Sequence, residues 1–206
     1  MSGSLFPGLA ATPVSLTAKP SAGDIAPLAL SCEMQCRAHW CWAAICTEIG
    51  RIFGSTEPQE RLAHRVQRSL FKDDAPAAAD THVPPCDRAR PQGSEPIISL
   101  NKVLPTLDVP AAPLRCQPTA ALSERDLLAE LRDGRPVAIK IEWGDGSAHF
   151  IVVVGASMRQ GTWLFTVDDP MKGRLDVSYV GLVRYQSPGD GQPGGRWTDS
   201  WWGIGR

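Results

Sequence analysis
The spacing of apolar positions changes period partway along the chain. From Cys41 onward, Trp42, Ile45, Ile49, Ile52 and Phe53 recur at helical spacing until Gly54, which predicts a central helix from Cys41 to about Gly54. A second helix is expected over Glu57 to Leu70, with Thr56 as cap and Pro58 at an early helical position. Ile97 to Leu104 reads as a short helix and Val109 to Gln117 as a crossing segment. Ser123 then caps a helix carrying Leu127, Leu128 and Leu131, closed by Asp133-Gly134. After that the period becomes strand-like. Pro136 to Trp143, Phe150 to Ser157 and Thr162 to Val167 are β-branched and aromatic runs between glycine-bearing turns, which predicts an antiparallel sheet. Gly173 to Tyr185 and Arg196 to Gly203 are expected to add strands, with a loose loop over Gly189 to Gly195. Helices first and sheet second is the α+β pattern, and a site between the two parts would draw groups from both.

Two stretches carry no lasting period. Residues 1–31, rich in Pro, Ala, Ser and Gly, are expected to form an extended or partly disordered arm. Lys72 to Glu95, with four prolines, reads as a surface loop. The remainder, 32–206, is expected to be one domain, with a helical half of about 32–117 and a β-rich half of about 118–206.

A chain of 206 residues with 43% hydrophobic and 21% charged residues is ordinary for a globular domain. Lys and Arg total 21 against 22 Asp and Glu, and no basic run occurs, so neither nucleic acid nor an anionic membrane surface is indicated. No apolar run is long enough for a spanning helix, so no membrane insertion is expected. The start lacks the pattern of a classical signal peptide, which fits the cytoplasm, export by a specialised secretion system, or removal of a leader before this numbering. The six cysteines, at 32, 36, 41, 46, 86 and 116, are too unevenly spread for a disulfide scaffold. Cys32–Cys36 or Cys46–Cys86 remain open as bridges. Four of them lie close together, but gaps of three, four and four residues, with Cys41 and Cys46 on an apolar helix, do not make paired zinc knuckles. No metal is assigned.

Cys41 stands apart because it opens the helix. Unpaired N–H groups and the positive dipole end at a helix start favour thiolate over thiol. Gln35, six residues earlier, can return its amide to the same place and donate to an oxyanion. These are two parts of an acyl-transfer site. Its base must come from His39, His64, His82 or His149. His39 is too close in the loop to present its ring to the sulfur. His64 lies on a polar helix and His82 in the proline-rich loop, where solvated histidine is ordinary. His149 opens the most apolar strand, after the turn Gly144-Asp145-Gly146-Ser147, and is the expected base and acid. Asp168 and Asp169 end the following strand and are the candidates to orient its ring; an Asp-Pro pair also commonly forms a turn. Trp42 is expected in the core and Trp40 as a possible wall of the cleft. Trp197, Trp201 and Trp202 read as packing or as a binding rim.

Gln35 followed by Trp40-Cys41-Trp42-Ala43-Ala44 resembles the active-site segment of papain-like cysteine peptidases. The resemblance is to the bacterial branch with the Trp-Cys-Trp-Ala-Ala signature, which includes a protease effector of plant pathogens. It extends more distantly to peptidases that remove double-glycine leaders. Gly134-Arg135-Pro136-Val137, the run from Ala148 to Gly155, and Val167-Asp168-Asp169-Pro170 resemble later blocks, so the likeness spans roughly Glu33 to Tyr185. Cys36, where such enzymes commonly have glycine, departs from the pattern.

The resemblance implies a papain-like fold with the site between a helical and a β-rich lobe. It implies Cys41 as nucleophile, His149 as base, Gln35 as oxyanion donor, and Asp169 as the acid, because the family's acid directly precedes a proline; Asp168 is the reserve. It implies hydrolysis of peptide bonds through a thioester, a peptide or protein substrate, no cofactor, and a role as bacterial effector, toxin or processing enzyme. A transglutaminase or deamidase would use the same triad. An inactive binding module on this scaffold would have no reason to keep all four residues.

Overall fold
In the computed structural model, which describes residues 23–37, 39–70, 98–110, 112–185 and 194–205, the central helix α1 spans Cys41–Ile52. All ten residues from Cys41 to Gly50 are buried. It ends at Gly54, whose φ of 90° suits glycine, with the Ser55 N–H returning to the Gly50 carbonyl at 2.9 Å. Helix α2, Gln59–Leu70, begins two residues later than the capping pattern suggested, because the Glu57 N–H is taken by the Ser55 hydroxyl before Pro58. A short α3, Leu100–Val103, runs into a 3₁₀ turn at Leu104–Thr106. Helix α4, Glu124–Arg132, is capped as expected: the Ser123 hydroxyl accepts from the Asp126 N–H at 3.2 Å.

The described strands are β1 Arg115–Thr119, β2 Val137–Glu142, β3 Ala148–Arg159, β4 Thr162–Asp169, β5 Gly173–Ser178 and β6 Arg196–Gly205. They form one antiparallel sheet in the order β1-β6-β2-β3-β4-β5. Two expectations change. The crossing segment contributes β1, which pairs with β6, so the expected boundary near 117 falls inside a strand. The expected strand from Gly173 to Tyr185 stops at Ser178, which caps the five-residue helix α5, Tyr179–Val183, by accepting the Gly181 N–H at 3.1 Å. Residues 1–22 of the expected arm, the proline-rich loop and most of the Gly189 to Gly195 loop lie outside the described residues.

Both faces of the sheet are covered, and β3 shows why its sequence is apolar without a break. Phe150, Val152 and Val154 join the core around α1, α2 and α3. Ile151 and Val153 join a second core with Leu127, Leu131 and Leu182 of α4 and α5. Each such side chain contributes roughly 1.5–3 kcal/mol of burial. The arm adds a short edge to this layer: Ile25 bridges Ala156, and the Leu28 N–H reaches the Val154 carbonyl at 2.9 Å. Gly155 permits that approach, since a Cβ there would sit 2.7 Å from the Pro27 Cα. The chain is thus α+β, with α1 packed against the strand that His149 opens.

Candidate active site
Helix α1 starts without a side-chain cap and without an acidic residue in its first turn. Nothing ionic in that turn competes for its positive end, where Cys41 sits buried. Trp40, at the N-cap position, corrects one expectation. It is 1% exposed, packs edge-on against His64 with ring centres 5.7 Å apart, and carries the Arg37 guanidinium 4.7 Å from its ring centre. It anchors the helix start in the core and does not wall a cleft; by the same contact His64 is a packing residue, not a solvated one.

The Gln35 loop is held from three sides. Its N–H bonds the Pro170 carbonyl at 2.9 Å, the Cys36 N–H bonds Gln59 Oε1 at 2.7 Å, and Gln59 Nε2 bonds the Met34 carbonyl at 3.1 Å. The Gln35 amide itself donates to the Arg37 carbonyl at 2.8 Å. The loop therefore ties α2 to the turn after β4 and ends at Cys41.

His149 lies at the mouth of β3, 5% exposed. Its Nε2 is 2.8 Å from Asp169 Oδ1, and the Cys41 side chain hydrogen-bonds the same ring. Burial works against charge on the imidazole, but Asp169 and Cys41 outweigh it and raise its pKa to about 9. Asp169 is fully buried. Its Oδ1 also accepts the Met171 N–H at 2.8 Å, and its Oδ2 accepts the Tyr185 hydroxyl at 2.5 Å. Burial opposes its ionisation; the His149, Tyr185 and Met171 hydrogen bonds prevail and hold it below the usual carboxylate range. The Asp-Pro turn and the imidazole contact thus coexist on one side chain. Trp143, across the turn from His149, places its ring centre 6.3 Å from the imidazole.

Asp168 points the other way, as adjacent strand residues must. Arg174 grips it at 2.7 and 2.6 Å and also donates to the Leu30 carbonyl at 3.0 Å. Glu48 of α1, fully buried, hydrogen-bonds Asp168 and takes the Glu33 N–H at 3.1 Å. Burial, followed by the bond to Asp168, raises its pKa far above the carboxylate range, so Glu48 is held as the acid and donates to its neighbour. Ligand atoms of Cys32, Glu48 and Asp168 lie within 4.8 Å of one another. A cation there would have to displace Arg174 and two protons, so the group reads as a structural latch.

Burial pushes the Cys32 thiol up to about 12 and also raises Cys46 and Cys116. Cys36 is disulfide-bonded, while Cys32 and Cys46 are free, which overturns both of the bridges left open. His39 is exposed and His82 lies outside the described residues. Tyr185 and Glu48 escaped the sequence reading. Tyr185 stood at the end of an expected strand, and Glu48 was a lone acid on an apolar helix, a signal that went unused.

Residues 108–187 match the family model described as papain-like cysteine protease AvrRpt2. The matched segment contains His149, Asp168, Asp169 and Tyr185; Gln35 and Cys41 precede it. By this match the segment is similar to papain-like cysteine proteases, the class of enzyme that the matched family describes. No curated protein and no solved structure matched the chain.

Proposed function
We propose that the chain hydrolyses peptide bonds through a Cys41–His149–Asp169 triad lying between the α1 side and the sheet, in the manner of a two-lobed papain-like enzyme. The observation that carries this is the His149 ring, bonded to Asp169 through Nε2 and engaged by the Cys41 side chain. With Nε2 occupied, Nδ1 is the nitrogen for the sulfur. The imidazolium faces a thiolate at the helix start, and the Cys41 sulfur attacks the substrate carbonyl carbon. The Gln35 amide and the Cys41 N–H take the oxyanion. His149 then gives its proton to the leaving amine as the C–N bond breaks. Water, losing a proton to His149, attacks the thioester and releases the acid and the free thiol. Asp169 keeps the tautomer and ring orientation throughout, and Asp168 takes no part in the chemistry. The chain's own residues supply every group in this scheme, and the substrate is a peptide or protein. The role as bacterial effector, toxin or processing protease rests on the family match alone.

The test is intact mass after brief exposure to iodoacetamide, for wild type, Cys41→Ala and His149→Ala. Fast single labelling at Cys41 that depends on His149 is the expected result. Slow labelling spread over several cysteines would sink the reading. Incubation with a glutamine-containing peptide and an added amine then separates hydrolysis from acyl transfer by product mass.

A further inference from the structure
The sheet carries a cavity of about 300 Å³ whose lining includes Ala148 and Phe150, the residues on either side of His149. Its floor follows from strand register. Lys140 of β2 lies between Phe150 of β3 and Asp199 of β6, so these side chains stand abreast on one face. One rung toward the strand mouth, Glu142 faces Ala148, the residue immediately before His149. Phe150 and Trp201, ring centres 5.5 Å apart, pack into the core around α1, so the cavity opens on the face that α1 covers. Ser99, just before α3, forms the facing wall. The cavity is thus lined by the two strand residues that flank the proposed base, whose own side chain points to the other face of the sheet, and it lies on the side of the helix that delivers Cys41.

Its chemistry is uneven. Lys140 Nζ lies 2.7 Å from Asp199 Oδ2 and 3.7 Å from Glu142 Oε1. Thr198 also donates to Asp199 Oδ2, at 2.7 Å. Against the cost of burial, the Lys140 and Thr198 hydrogen bonds hold Asp199 below the usual carboxylate range. Two carboxylates therefore face one ammonium. Both carboxylate side chains are 42% exposed, whereas the lysine is 22% exposed. An ammonium has three donors, while two carboxylates offer about eight acceptor positions. Beneath them lie two aromatic rings, which suit the flat face or aliphatic stem of a long cation.

We propose that this cavity is a substrate subsite that takes a basic side chain, arginine best, from a residue close to the scissile bond, with Glu142 and Asp199 as its specificity-determining carboxylates. The inference rests on the peptidase reading above. An arginine lays its stem over Phe150 and Trp201 and offers its guanidinium to the two carboxylates, while a glutamate side chain meets them as like charges.

The test measures the rate of Cys41 alkylation by dipeptidyl epoxysuccinyl probes that differ in one residue, Arg, Phe or Glu, each rate divided by that of iodoacetamide on the same protein. The Arg probe is expected to exceed the Glu probe by about tenfold, with Phe between them. The isosteric pair Glu142→Gln with Asp199→Asn should bring Arg and Glu within about twofold of each other. Selective iodoacetamide labelling of Cys41 combined with equal probe rates, or with Phe or Glu fastest, overturns the subsite and leaves the peptidase reading standing. So does an Arg preference that persists in the double variant. Failure of iodoacetamide to select Cys41 removes the peptidase reading and the subsite with it.

Discussion
Asp168 and Asp169 are neighbours at the end of β4, both fully buried, and they have been given opposite work by the alternation of the strand. Asp169 shares its face with the second core and meets His149, Tyr185 and the Met171 N–H. Asp168 faces α1 and meets Arg174 and the protonated Glu48. In the proposed scheme one carboxylate orients a ring that must gain and lose a proton. The other closes a latch joining α1, the arm at Leu30 and Glu33, and β4. Residue type and burial are the same for both, so the partners alone separate the roles.

The largest effect expected on this comparison is on the Asp169 side. Asp169→Ala is predicted to lower kcat/KM by about 10³–10⁴, measured on any cleaved peptide, while Asp168→Ala leaves the alkylation of Cys41 dependent on His149. An equal loss of His149-dependent alkylation in both variants would erase the distinction. Next in size is the stability cost on the other side. Asp168→Ala strands Arg174 beside a buried acid and should cost about 3 kcal/mol, read by denaturant melts.

Tyr185→Phe comes third. It removes one bond from Asp169 Oδ2 without a change of shape and should lower kcat/KM by roughly tenfold. It should also move the alkaline limb of the pH–rate profile to lower pH, because a less well-held carboxylate supports the imidazolium less. An unchanged limb would make Tyr185 a packing residue only.

The smallest and most specific effect concerns pH and stability. Glu48 has its pKa raised in the fold above its ordinary 4.5, so the native state binds more protons than the unfolded one above that pH. Its contribution is fully present below 4.5 and is lost as pH rises toward its folded value. His149, raised from 6.5 to about 9, has the same sign, but its loss begins only above 6.5. Between these two onsets a fall in Tm with pH reports Glu48, and Glu48→Gln should flatten it while keeping a donor to Asp168. A slope unchanged in Glu48→Gln would mean that Glu48 is ionised in the fold.

Much of this was legible from local rules. The start of α1, its stop at Gly54, the Ser123 cap, and the strand runs of β2, β3 and β4 depend on nearest neighbours in sequence, which a period and a cap reveal. Placing Cys41 at a helix start and His149 at a strand mouth needs no more than that. Trp40 was misjudged because an aromatic beside a thiol has the same sequence signature whether it faces a cleft or, as here, packs on His64. The cysteine pairing stays open in the sequence because it depends on distances between segments far apart in the chain. Strand β1 goes unread because Arg115–Thr119 alternates too weakly to read as a strand, and only β6 beside it makes it one.

By itself, the sequence determined where α1, α4 and the runs of β2, β3 and β4 lie, which thiol opens a helix, and which histidine opens a strand, since these are matters of local backbone preference and side-chain period. The tertiary structure alone decided that Tyr185 would hold Asp169, that Glu48 would hydrogen-bond Asp168, and that Lys140, Glu142 and Asp199 would share a cavity with the neighbours of His149. Those groups are brought within hydrogen-bond reach only by sheet register and by the packing of α1 on β3, and both follow from contacts between residues distant in the chain.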